Sequence, residues 1–250
     1  MQALIDRIEK LDPRIMTGRV TGVNGLLVEV EGPASGLALG SRATIGTSAG
    51  KANCEVVGFK GQSAILMPFE PVDGVKPGAP ARLDPDVATV RPSASWLGRV
   101  IDSFAQPLDG GDALPQGHRA YPLRGAPPCA HGRGRLGPRM DLGVRALNVF
   151  TPMRRGQRLG VFAGSGVGKS IMMSMLARNA DADVIVIGLV GERGREAREF
   201  VEDVLGEEGR RKSVVITETS DAPALARRQA AQLTLTVAEY FRDQGKDVLC

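Results

Sequence analysis

The 250 residues are 42% hydrophobic and 24% charged, the balance of a folded globular chain long enough to bury one large core or two smaller ones. Aromatics make up only 4%, with one tryptophan, which argues against a surface built for stacked bases; the net charge of +4 tolerates an anionic partner without demanding one. Cys54, Cys129 and Cys250 stand too far apart for a disulfide framework or a CxxC metal pair, and His118 and His131 lie in Pro/Gly-rich stretches.

Residues 1–12 are predicted to form a short amphipathic helix. Met1, Leu4, Ile5, Ile8 and Leu11 share a face at i, i+3, i+4, i+7 spacing, and that face either packs on its own domain or meets a partner. Charges interrupt it where a signal peptide needs an apolar core, and the longest apolar run, Val184 to Val190, is too short to span a bilayer. A cytoplasmic protein is expected.

With 1–16 set aside as this N-terminal segment, residues 17–84 read as short strands. Asn24-Gly25 predicts a type I′ hairpin turn, and Leu26, Val28 and Val30 alternate as a half-buried strand should. Further strands are expected over Ser41–Ile45, Asn53–Phe59, Ser63–Pro68 and Ala79–Leu83. Glycines and prolines separate them, and closing such strands into a small β-barrel removes exposed edges.

Residues 85–140 shift to proline, glycine and arginine. Tyr121 to Arg139 contains four arginines and His131, read as a solvated connector rather than an RNA-binding loop because Tyr121 is the only aromatic beside them. Residues 141–250 then alternate strands with helices. Strands are expected over Arg158–Ala163, Val184–Leu189, Ser213–Thr217 and Asp247–Cys250, and helices over Lys169–Asn179, Arg195–Glu208 and Ala222–Gln244. Ala197, Phe200, Val201, Val204 and Leu205 face one way on the second helix; Ala226, Ala230, Leu233, Val237 and Phe241 do so on the third. This alternation implies an α/β fold with a parallel sheet.

Two segments carry chemistry. Ala163-Gly164-Ser165-Gly166-Val167-Gly168-Lys169-Ser170 is a Walker A loop with Ala at its first position. Its glycines let backbone N–H groups turn around a phosphate, Lys169 is placed for the β- and γ-phosphates of ATP, and Ser170 for Mg²⁺. The second is Gly191-Glu192-Arg193-Gly194-Arg195-Glu196, directly after a predicted strand. Ligands bind beyond the carboxyl ends of parallel strands, so both segments open on one crevice. A carboxylate there orients water and an arginine meets phosphate charge, although charged residues also begin many helices without any such role.

AGSGVGKS followed by GERGRE resembles the catalytic subunits of the rotary ATP synthase superfamily, which includes the type III export ATPases. Gly98-Arg99-Val100-Ile101-Asp102 with Pro107-Leu108-Asp109-Gly110 is similar to that superfamily's linker signature, and Asp141 to Ala146 to its approach to the nucleotide loop. Ala105 stands where most members carry Gly. Arg155 to Phe162, Phe200-Val201 and Thr219 to Ala224 are most similar to the flagellum-specific export ATPases, ahead of the virulence type III secretion ATPases and, further off, an RNA-directed termination-factor helicase.

The resemblance implies a RecA-like P-loop core, its parallel sheet incomplete, behind the small N-terminal β-barrel. It implies Glu192 as general base, Arg193 as a nucleotide-contacting arginine, and ATP with Mg²⁺ as ligands. The implied setting is a homohexamer, peripheral at the inner-membrane export apparatus and without nucleic acid. A stator-like regulatory partner is implied at the N-terminal helix, with export-gate components, export substrates and chaperones beyond. Asp247–Cys250 is similar to the start of the Walker B strand, and the family's Mg²⁺-organising Asp would follow it, so the chain is expected to stop partway through the catalytic domain.

Overall fold

The computed structural model describes residues 16–250 except Ala49 and Ser165; the helix expected over 1–12 lies outside the described residues. The chain divides into two compact units, one reaching Ala88 and joined by Pro223–Leu225, the other formed by Thr89–Ala222 and Ala226–Cys250.

The first unit is a closed antiparallel barrel in the order β1-β2-β5-β4-β3-β6. Its strands are β1 (Met16–Asn24), β2 (Leu27–Glu31), β3 (Ser41–Thr47), β4 (Gly50–Lys60), β5 (Ser63–Pro68) and β6 (Pro80–Val87). Alternate residues point inward, and Val28, Val30, Ile45, Cys54, Val56 and Leu66 fill the interior. The first hairpin differs from expectation by one residue. Asn24 pairs with Leu27, so Gly25 and Leu26 form the turn, and Gly25 alone has positive φ. A type II′ turn needs positive φ only at its first central residue, which spares Asn24 a strained conformation. Leu26 is consequently exposed at the turn, while Val28 and Val30 are buried.

The second unit contains a four-stranded parallel sheet ordered β14-β12-β13-β8. Here β8 is Val100–Ile101, β12 Val184–Val190, β13 Ser213–Glu218 and β14 Val248–Leu249. The residues expected to be mere connector therefore supply a sheet strand. Two further contacts tie them down: β7 (Thr89–Val90) pairs with β9 (Tyr121–Pro122), and the fully buried Trp96 donates its indole N–H to Pro115 O at 2.9 Å. Apolar side chains of a Pro/Gly-rich segment have made it part of the core.

A small module precedes the nucleotide loop. In it, β10 (Arg139–Met140) pairs with β11 (Met153–Arg154) around α1 (Arg145–Phe150). The Walker helix α2 is Lys169–Asn179, as expected. Gly143 lies against its far end, where an added Cβ would fall 2.2 Å from Asn179 Cβ, so only glycine lets this segment seat on α2. The next helix runs as α3 (Gly194–Glu199), a π-helical stretch Phe200–Leu205, and α4 (Gly206–Arg211). Ala197, Phe200 and Leu205 on its expected apolar face are buried. The long α5 (Ala224–Asp243) buries Ala226, Ala230, Leu233, Val237 and Phe241, each at 3% exposure or less.

One expected strand is not formed. Arg158–Ala163 has no ladder partner among the described residues, and Leu159 and Val161 are each 40% exposed, Phe162 97%. An extended segment becomes a strand only when a neighbour accepts from its N–H groups and donates to its C=O groups. The described sheet ends on this side at the two-residue β14, which pairs only with Val184 and Ile185 of β12.

Candidate active site

The Walker segment leads from an extended stretch into α2. Gly166 (φ 77°) and Gly168 (φ 94°) take left-handed conformations, and Gly168 immediately precedes the helix. A Cβ at Gly164, Gly166 or Gly168 would meet nothing within 4 Å, so none of them serves tight packing, and Gly166 and Gly168 serve backbone conformation. Met172 N–H donates to Gly168 O at 3.0 Å, which commits the helix from its first turn and aims its unpaired N–H groups at the loop. Ala163, Gly164 and Val167 are exposed along the loop; Ser165 lies outside the described residues. Lys169 and Ser170 begin the helix, with Ser170 exposed.

The second segment meets the first. Lys169 Nζ lies 3.1 Å from Glu192 Oε1, with the two side chains 42% and 37% exposed. Glu192 stands just past the carboxyl end of β12, where Gly191 (φ 80°) turns the chain. Two backbone bonds fix that corner: Gly191 N–H donates to Glu218 O at 2.8 Å, and Ser220 N–H donates to Glu192 O at 2.9 Å. The loop after β13 thus holds the carboxylate-bearing loop. Arg193 is not drawn into the pair. It is 79% exposed and its guanidinium reaches Glu196 at 3.3 Å.

Sequence reading did not find this brace, since backbone donors and acceptors leave no residue-type signature. It also missed Arg227, whose guanidinium lies beside Gly191 and whose Nε is buried without a hydrogen bond. Beside Lys169 opens a cleft of about 510 Å³ walled by Leu159, Val161, Met173, Ile187 and Leu235. Its lining is mostly apolar, and it runs along β12 from the short β14 pairing toward the strand's carboxyl end.

Mg²⁺ is bound through one or two protein oxygens together with substrate phosphates rather than by an all-protein cage. A helix-start hydroxyl at Ser170 beside the glycine loop suits that mode. Among the described residues, no group of three or more His, Cys, Asp or Glu forms a self-sufficient metal site.

The linker signature is structural here. Arg99 grips Asp109 through two bonds, Nε to Oδ2 at 2.7 Å and Nη2 to Oδ1 at 2.9 Å, and Val100 N–H also donates to Asp109. These donors, Arg99 foremost, hold the Asp109 carboxyl well below the usual carboxylate range. Asp102 Oδ1 accepts from Phe104 and Gln106 N–H, closing the turn in which Ala105 sits at φ 58°.

Residues 20–83 match the beta-barrel domain of the ATP synthase alpha/beta family, and residues 143–250 its nucleotide-binding domain. A flagellum-specific ATP synthase from Caulobacter vibrioides is 57% identical across 100% of this chain and 56% of its own length. That of Bacillus subtilis is 42% identical over 99% of the chain and 57% of its own length. Among solved structures, the assembled ATPase EscN in complex with its central stalk EscO, from the enteropathogenic E. coli type III secretion system, superposes with TM-score 0.83. It is 35% identical over 92% of this chain and 56% of that one. The chain spans about half the length of the curated relatives it matches. A six-stranded barrel followed by a P-loop domain, each unit matched in sequence and both together in structure, places this chain in the ATP synthase alpha/beta family.

Proposed function

We propose that this chain binds and, with the remainder of its polypeptide, hydrolyses ATP to energise flagellar protein export. The observation that supports it most is the meeting of Lys169 with Glu192 at 3.1 Å, at the mouth of a glycine loop that opens an α-helix. In this reading the loop N–H groups and Lys169 bind the phosphates, and the Ser170 hydroxyl would supply a protein oxygen to Mg²⁺. Held there with the nucleotide, Mg²⁺ would supply charge neutralisation to the phosphates. Glu192 takes a proton from the attacking water. Arg193 is 79% exposed and contacts nucleotide by turning toward the loop or across an assembled ring.

The 57% identity to a flagellum-specific relative, against 35% to EscN, favours the flagellar system over a virulence one. Assembly as a hexamer, a stator-like partner at the N-terminal segment, and contact with export-gate components, chaperones and substrates belong to the same proposal. No described helix is long and apolar enough to cross a membrane, which suits peripheral association at the export apparatus. An RNA-directed role is disfavoured. Phe69 is buried beneath the Arg42 guanidinium, 4.4 Å from the ring centroid, leaving Phe59 as the barrel's one exposed aromatic.

The test is Lys169→Ala. A charge-assisted contact contributes roughly 1.5–3 kcal/mol, so affinity for ATP or ADP is expected to fall at least about tenfold while far-UV circular dichroism stays constant. Unchanged affinity in a folded variant overturns the assignment. ATPase activity of the full-length protein that depends on added RNA would favour the helicase instead.

A further inference from the structure

Two residues with different tasks in the proposed reaction, one for phosphate and one for water, are in direct contact. Lys169 Nζ and Glu192 Oε1 lie 3.1 Å from each other, so the ammonium meant for phosphate is already holding a carboxylate. Neither partner is free to drift far. Lys169 is fixed in the first turn of α2, and the Glu192 backbone is pinned by Ser220 N–H while Gly191 is pinned by Glu218 O. Both side chains are nevertheless more than a third exposed, so an incoming anion can reach them.

We propose that Glu192 acts as a built-in competitor for the phosphate position: its carboxylate neutralises Lys169, and nucleotide phosphate must displace it. This rests on the reading of Lys169 and Glu192 given above and adds the order of events. A polyphosphate carries more charge than one carboxylate and also gains the loop N–H groups, so it wins the lysine. Displacement leaves the carboxylate beside the bound phosphates with its lone pairs turned to water. The base is therefore released by the substrate it acts upon, and an empty site holds no activated water. No covalent step is involved; one ion pair is exchanged for another.

The competition has a measurable signature, because a ligand that must break an internal contact binds more weakly by the strength of that contact. A pair this exposed is worth little, and the corresponding change in affinity is about two- to fivefold. Glu192→Gln keeps shape and removes the competing charge. In the 250-residue chain it is expected to bind ADP and a non-hydrolysable ATP analogue about two- to fivefold more tightly than wild type. Glu199→Gln, which deletes an equal charge from the exposed Arg195 pair, is expected to change nothing. Glu192→Ala guards against an effect peculiar to the amide.

A second measurement does not depend on affinity. In a double-mutant cycle of Lys169→Ala and Glu192→Gln, denaturation midpoints of nucleotide-free protein should show coupling between the sites, and saturating ADP should abolish it. Unchanged or weaker binding by both Glu192 variants overturns the proposal, as does equal tightening by Glu199→Gln, which would mark a general charge effect. Absence of coupling in the empty protein does so too. Wild-type affinity in Lys169→Ala would instead remove the nucleotide-site assignment itself, so the two failures are told apart.

Discussion

At Glu192 the affinity gain described above and the loss of turnover are separate readouts. In the full-length protein, Glu192→Gln is expected to lower ATP hydrolysis by about 10²-fold or more, in line with general-base contributions, while nucleotide remains bound. Parallel loss of binding and rate, followed by titration and steady-state kinetics, would make it a binding residue only. Asp109 shows the structural counterpart. Its side chain is 7% exposed and its folded pKa is depressed, so the carboxylate form is favoured in the fold. The stability it contributes is fully present above the unfolded pKa of about 3.9 and is lost as pH falls through the lower, folded value. Asp109→Asn is expected to cost about 2 kcal/mol at pH 7, with the gap to wild type closing as denaturation is repeated from pH 5 down to pH 2. A gap independent of pH would refute the ion pair as its source.

Ala105 brings the argument to the level of a turn. The Asp102 carboxylate and backbone close this turn firmly enough to hold an alanine at φ 58°, a conformation that costs a non-glycine residue about 1–2 kcal/mol. Ala105→Gly relieves that strain but adds freedom to the unfolded chain. The net expectation is stabilisation by about 0.5–1 kcal/mol, read as a rise in denaturant midpoint at constant slope. Elements with strong side-chain periodicity were legible in advance. The buried stripe of Ala226, Ala230, Leu233, Val237 and Phe241 stands where the spacing put it, and the helix Lys169–Asn179 stands where the glycine loop opens it. The strand Arg158–Ala163 does not, because pairing is a property of two segments and one segment's composition cannot supply it.

Two units with separate cores imply separable stability in the whole chain. Trp96, the single tryptophan, lies in the second unit, so its fluorescence reports on that unit alone. Ile45 is fully buried in the barrel, and Ile45→Ala is expected to cost about 2–5 kcal/mol there. Circular dichroism should show an early barrel transition, with the Trp96 fluorescence midpoint unmoved. Equal shifts in both signals would mean that the chain unfolds as one.

Local chemistry carried most of the outline. Alternating apolar residues between glycines determined a barrel, since inward-facing side chains at period two have no other way to be buried without leaving strand edges open. The glycines before Lys169 and Ser170 determined a sharp turn into a helix, because positive-φ glycines there turn successive N–H groups toward one point. What tertiary structure alone decided is what meets across distance. Nothing in the spacing of Lys169 and Glu192 states that they touch, nor that the loop after β13 braces the one carrying the glutamate, nor that a proline-rich connector enters the parallel sheet as β8. Each depends on the right-handed return of a parallel sheet, which brings the carboxyl ends of strands far apart in sequence to one edge.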